Sequence, residues 1–129
     1  MMKPTSHLFG RTAESSASLY LRKKGYRILG QNVRLPGGEL DLIAQHEHTI
    51  IFVEVKARRS DSHGGTHYAI TTSKKQRIIK LAALYLAQRK LSQQLSRFDV
   101  ILCQGDTRDT LEVTHIENAF EIPGEDIRW

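Results

Sequence analysis

A short polar break, Gln45-His46-Glu47-His48-Thr49, separates two strand-forming runs, Glu39 to Ala44 and Ile50 to Ala57. No other feature of the sequence restricts the fold as tightly. Two runs of this length around so short a break predict a β-hairpin. A two-residue loop (Glu47, His48) and a four-residue loop (His46 to Thr49) give the same register. Either one sets Asp41 opposite Glu54 and Glu39 opposite Lys56. Strand side chains alternate, so all four share a face. Opposed residues have Cβ atoms about 5 Å apart, and like charges facing each other destabilise a sheet. Glu39 and Lys56 offset one another, with Glu39 either orienting the lysine or ligating a metal directly. Asp41 and Glu54 do not, unless a cation sits between them.

The run Ile50-Ile51-Phe52-Val53 places the second strand in the middle of a sheet. Two opposed carboxylates buried there without a counter-ion would be strongly destabilising. Phosphodiester hydrolysis uses this arrangement. It needs an activated water, charge neutralisation on the phosphoryl oxygens and help for the leaving oxygen. A hard cation such as Mg²⁺ or Mn²⁺, held by carboxylates, serves all three. Lys56 lies two residues beyond Glu54, about 7 Å along the strand on the same side, within reach of the water or the scissile phosphate. The bland alternatives are solvated strand carboxylates and a lysine that only pairs with Glu39. Glu14 shares a helical face with Ala17, Ser18 and Leu21. Its spacing leaves two readings open, a carboxylate facing the same site or one at a half-exposed helix edge.

The rest of the chain completes an α/β order. Thr12 to Lys24 reads as a helix, with Ala13, Ala17 and Leu21 at helical spacing and Gly25 as its stop. Tyr26 to Leu35 is a strand and Pro36-Gly37-Gly38 a turn before the hairpin. Arg58 to His67 is polar and reads as a mobile loop. Thr71 or Thr72 caps a helix running to about Lys90, with a core stripe of Ile78, Leu81, Ala82, Tyr85 and Leu86. Arg97 to Cys103 and Leu111 to Ile116 are strands joined by a turn at Gly105 to Asp109. The order α-β-β-β-α-β-β predicts a mixed central sheet flanked by helices. A chain of 129 residues suits one domain, with residues 1–8 and 123–129 as flexible tails. The single Cys103 excludes an intramolecular disulfide and fits a reducing, cytoplasmic setting. No apolar run is long enough to span a membrane.

The combination of Gly10 and Glu14, Gly25-Tyr26, Gly38-Glu39-Leu40-Asp41-Leu42-Ile43, Phe52-Val53-Glu54-Val55-Lys56-Ala57-Arg58 and Arg97-Phe98-Asp99-Val100 resembles the YraN-like family of bacterial proteins. The likeness runs in order along nearly the whole chain. It implies a branch of the PD-(D/E)XK nuclease superfamily with a restriction-endonuclease-like fold, similar in layout to archaeal Holliday-junction resolvases. It also implies roles: Asp41 as the motif aspartate, Glu54 and Lys56 as the E-x-K pair, Glu14 as a helix-borne acid. Asp41, Glu54 and Glu14 would then be the metal ligands. The motif proline is replaced by Leu40, which leaves the chemistry intact. In resolvase-like enzymes a residue on the following helix completes the site, and Gln76 or Lys74 would take that place.

Nineteen basic residues against fourteen acidic ones, a net charge of +5, favour a polyanionic partner, DNA above all. Lys74, Lys75, Arg77 and Lys80 gather on the first turns of the long helix, where a phosphate would be welcomed by amides and ammonium groups alike. Arg58 and Arg59 leave the catalytic strand toward the loop and read either as further phosphate contacts or as solvated charges. The expected activity is therefore a metal-dependent endonuclease acting on DNA, with branched or damaged DNA as candidate substrates. A nucleic-acid-binding protein without catalysis, or an adaptor in DNA processing, is the alternative. Symmetric junction cutting would call for a homodimer. His63, His67, His46 and His48 lack the framework of a transition-metal site. Cys103 reads as core, and Asp99 as a structural partner of Arg97 or a helix end.

Overall fold

The computed structural model describes residues 6–59, 70–105 and 111–122, with the backbone alone for residues 6–10. Seven elements follow in order: α1 (Ser6–Lys23), β1 (Arg27–Leu35), β2 (Gly38–His46), β3 (Thr49–Arg58), α2 (Thr72–Gln88), β4 (Leu95–Gln104) and β5 (Glu112–Phe120). This is the expected α/β order. The expected loop with His63, Gly64, Gly65 and His67 lies outside the described residues. So do residues 1–5, 106–110 and 123–129.

The strands form one sheet in chain order, β1-β2-β3-β4-β5. All neighbours are antiparallel except β3 and β4, which α2 connects and which run parallel. Because side chains alternate along a strand, β3 feeds two cores. Ile50 and Phe52 pack with α2 through Ile78, Ile79, Leu81, Ala82, Tyr85 and Leu86. Ile51 and Val53 pack with Ala13, Ala17 and Leu21 of α1. The two helices therefore cover opposite faces, giving the three-layer, restriction-endonuclease-like layout.

Local chemistry sets the helix ends. Gly25 adopts φ +94 after α1. The Tyr26 amide donates to the Leu21 carbonyl (2.9 Å) and the Gly25 amide to Arg22 (3.0 Å), a Schellman closure. At the start of α2 the Thr71 hydroxyl accepts from the Lys74 amide at 3.1 Å, as an N-cap should. Gly38 has φ +155, and a Cβ there would lie 3.2 Å from Leu81 and 3.6 Å from Arg77 Cδ. Helix α2 thus sits directly over the beginning of β2.

The hairpin turns on Glu47 and His48, with Glu47 at φ 56, and its register is the predicted one from His46↔Thr49 to Leu42↔Val53. There the β2–β3 ladder ends. Asp41 and Glu54 are the next residues, and they are not ladder partners. The expected Glu39–Lys56 pair is overturned for the same reason. Beyond Leu42, β2 stays paired with β1 alone, Arg34↔Glu39 among the partners. Glu39 accordingly meets Arg34, at 3.6 Å.

Strand β5 runs to Phe120, past the expected end at Ile116. Its polar stretch Glu117-Asn118 looks like a turn in sequence. In the fold it forms a bulge opposite Asp99, with Asn118 at φ 50, and pairing resumes at Phe98↔Phe120.

Candidate functional site

The parting of β2 from β3 makes the site. With no ladder partner across the gap, the Val55 amide is taken by the Asp41 side chain, N to Oδ2 2.9 Å. Glu54 follows Val53, the last residue of β3 paired with β2, and is 9% exposed. The Asp41 carboxyl is pushed up to about 7. Burial is the chief cause and the neighbouring Glu54 the next. Glu14 adds to it, while the Val55 hydrogen bond and Lys74 oppose it. Groups from both faces of the sheet thus act on Asp41: Glu14 from α1, Glu54 from β3 and Lys74 from α2.

Glu14 is half-buried, and its Oε2 is buried with no hydrogen-bond partner. An orphaned carboxylate oxygen beside two crowded acids is the surplus of negative donors that a hard cation requires. The set is not a closed cage. Among the described residues no three carboxylate, imidazole or thiolate groups converge on a common point. The residues fit an ion of the Mg²⁺ type, which keeps several waters and needs only one or two carboxylates. Asp41 and Glu54 would hold it, with Glu14 contributing from further off than the resemblance implies.

On α2 the residue brought to the acids is Lys74, whose Nζ lies 2.7 Å from Glu54 Oε1. Gln76 is not brought there. It is exposed and lines an open groove with Lys75, Ile79 and Asn118–Glu121 on the β5 side. The sequence did carry a signal for this. Lys74 lies four residues before Ile78 and seven before Leu81, so the core stripe extended one turn backward reaches it. Lys56 is half-buried, and among the described residues its ammonium has no ion-pair partner.

The sequence profile described as Uncharacterised protein family UPF0102 matches residues 13–103. The chain is 44% identical to a UPF0102 protein of Syntrophotalea carbinolica over 115 residues, 89% of this chain and 93% of that one. It is 42% identical to a UPF0102 protein of Caldanaerobacter subterraneus over 122 residues, 93% of this chain and all of that one. The chain belongs to the UPF0102 family. This is the YraN-like family to which its motifs pointed. Among solved structures it is similar to Pyrococcus furiosus SfsA in complex with Ca²⁺, with a TM-score of 0.41 and 15% identity over 91% of this chain and 65% of that one.

In this UPF0102 chain the remaining basic candidates spread outward from the acids. Arg77 and Lys80 are exposed on α2. Lys75 lies 5.9 Å from the centre of the Phe120 ring. Arg58 and Arg59 are half-buried at the end of β3, and the Arg58 carbonyl accepts from the Gly105 amide at 3.0 Å. No helix among the described residues is long and apolar enough to cross a membrane.

Asp99 belongs to a separate network, which sequence reasoning grasped only in part. It is fully buried. Arg97 Nε meets its Oδ1 at 2.9 Å, His115 Nε2 its Oδ2 at 2.7 Å, and the Asn118 amide its Oδ1 at 2.9 Å. Burial works against its ionisation, but the His115, Arg97 and Asn118 bonds outweigh it and hold the carboxyl below its ordinary range. Arg97 also donates to the Tyr26 hydroxyl (2.8 Å), which donates to Glu117 (3.2 Å). The network ties β4 and β5 to the end of α1. His115 gave no sign in the sequence, because its partners lie 16 and 91 residues away. His46 stacks on Tyr26 at 4.4 Å. Cys103 is core: buried, donating to the Ala13 carbonyl at 3.5 Å, its thiol pushed by burial up to about 11.

Proposed function

We propose that this chain is a Mg²⁺- or Mn²⁺-dependent endonuclease that hydrolyses phosphodiester bonds in DNA, branched or damaged DNA being the substrates to try first. One observation carries the reading. Asp41, half-buried, and Glu54, buried, are crowded at the point where β2 leaves β3, and the Asp41 carboxyl is pushed up to about 7. A structural role gives no reason to keep two such acids together, whereas a cation between them removes the penalty.

The bound ion would supply charge neutralisation and an acidified water. Asp41 and Glu54 position it, the Val55 amide fixing the Asp41 carboxylate by its other contact. Lys56, without an ion-pair partner among the described residues, orients the water or steadies the phosphoryl oxygens. Lys75, Arg77 and Lys80, near the positive end of α2, hold flanking phosphates, with Arg58 and Arg59 beyond the strand. Cutting both arms of a junction would require two copies of the chain, a C2 pair being the simplest arrangement.

The other reading is a nucleic-acid-binding protein or adaptor without catalysis. Its support is the Lys74–Glu54 ion pair, which already neutralises one acid. Incubation with plasmid, single strands and four-way junctions in Mg²⁺, Mn²⁺ or EDTA separates the two. The nuclease reading expects metal-dependent cutting that disappears in Asp41→Asn and Glu54→Gln while DNA binding persists. Binding without cutting in any metal decides for the second reading.

A further inference from the structure

Lys74 occupies the position a cation would need. Its ammonium is 2.7 Å from Glu54 Oε1, one of the two carboxylates crowded at the gap between β2 and β3. We propose that Lys74 is a resident counter-ion, displaced when a divalent ion enters between Asp41 and Glu54 and thereby released to contact a phosphate of the nucleic acid. This inference rests on the nuclease reading and adds a switch to it.

Three observations support it. First, the Lys74 backbone is anchored while its side chain reaches solvent. Its amide donates to the Thr71 cap at 3.1 Å, but the side chain is 40% exposed against 9% for Glu54. When the pair breaks, the lysine is the partner with a way out. Second, a cation in the first turn of a helix opposes the macrodipole, and α2 has no acidic residue in its own first turn. Among the described residues the ion-pair partner of Lys74 is Glu54, on another element. Once a metal takes Glu54, the ammonium is left against the positive helix end, and an incoming phosphate becomes the group that relieves it. Third, an ammonium and a divalent ion on the same carboxylate repel each other at contact distance, so the two occupancies compete. Lys75 and Arg77, on the same turn of α2, place other cations beside the route the released side chain would follow.

Two measurements test the proposal on the full chain. In a calorimetric titration with Mn²⁺ alone, Lys74→Met and Lys74→Gln should bind about tenfold more tightly than wild type, the competing ion pair having gone. Lys74→Arg should bind like wild type. In a binding assay with duplex DNA in Ca²⁺, the wild-type plot of log K against log salt should be steeper than that of Lys74→Met by about 0.9. In EDTA, where Lys74 stays on Glu54, the two slopes should coincide. Equal or weaker Mn²⁺ binding by both neutral variants, with native circular dichroism, overturns the counter-ion role. Equal slopes in Ca²⁺ overturn the hand-over to phosphate. Absence of Mn²⁺ binding by wild type and all three variants instead removes the metal site on which the nuclease reading stands.

Discussion

Asp41→Asn should make the metal-free protein more stable, although Asp41 stands at the centre of the proposed chemistry. The folded chain raises this carboxyl from 3.8 to about 7. It therefore holds the proton more tightly than the unfolded chain does. Its effect on stability is most favourable below pH 4, and it is lost progressively as the pH rises to about 7. At 1.36 kcal/mol per unit, a rise of about three units corresponds to about 4 kcal/mol at pH 8. Asparagine retains an acceptor for the Val55 amide and removes the charge facing Glu54. Its own amide group then lacks a partner, at a cost of about 1–2 kcal/mol, which leaves a net gain of about 2–3 kcal/mol. Asp99 and Glu117 are shifted the opposite way, so their contributions are lost only at lower pH and do not blur this window. Urea unfolding in EDTA between pH 5 and pH 8 measures the effect. The gain should be largest at pH 8 and shrink toward pH 5. Mn²⁺ at a hundred times its Kd, which stabilises wild type by about 2.7 kcal/mol, should cancel the gain, and at a thousand times its Kd, about 4.1 kcal/mol, should reverse the order. A variant no more stable than wild type at pH 8, or one whose gain does not vary with pH, refutes the crowding of these acids.

Asp99→Ala would leave the Arg97 guanidinium, the His115 ring and the Asn118 amide without their buried acceptor. A loss of about 3–5 kcal/mol in chemical denaturation is expected, and a loss below 1 kcal/mol would show the network to be marginal. Leu86→Ala removes a fully buried side chain beside Phe52 and Tyr85 in the α2 core. It should cost about 2–5 kcal/mol by the same assay. Lys75→Gln with Arg77→Gln should flatten the salt dependence of duplex binding by about two in slope, if both contact phosphate. Cys103 should resist thiol reagents in the native protein and react at the unfolding rate, because its thiol is buried and raised to about 11.

What could be read in the sequence was what short-range chemistry fixes. A two-residue turn and a period of two determined the hairpin register from His46↔Thr49 to Leu42↔Val53. Helical spacing identified Ala13, Ala17 and Leu21, and Ile78, Leu81, Ala82, Tyr85 and Leu86, every one of them buried. Gly25 marked a stop and the Thr71-Thr72 pair a start, because glycine tolerates positive φ and threonine offers an oxygen to a free amide; the structure selects Thr71.

The tertiary structure decided where those regularities break off. Pairing between β2 and β3 ceases after Leu42, a break that no local pattern encodes. That break sends Glu39 to Arg34, gives the Val55 amide to Asp41 and opens the gap in which acids from α1, β2 and β3 act on one another. The docking of α2, set by its apolar stripe against β2 and β3, selects Lys74 and turns Gln76 toward β5. Local propensity thus supplies the elements and most of their chemistry. Which charges end within reach of each other is settled by long-range packing, because electrostatic contact depends on distances in space that chain separation does not report.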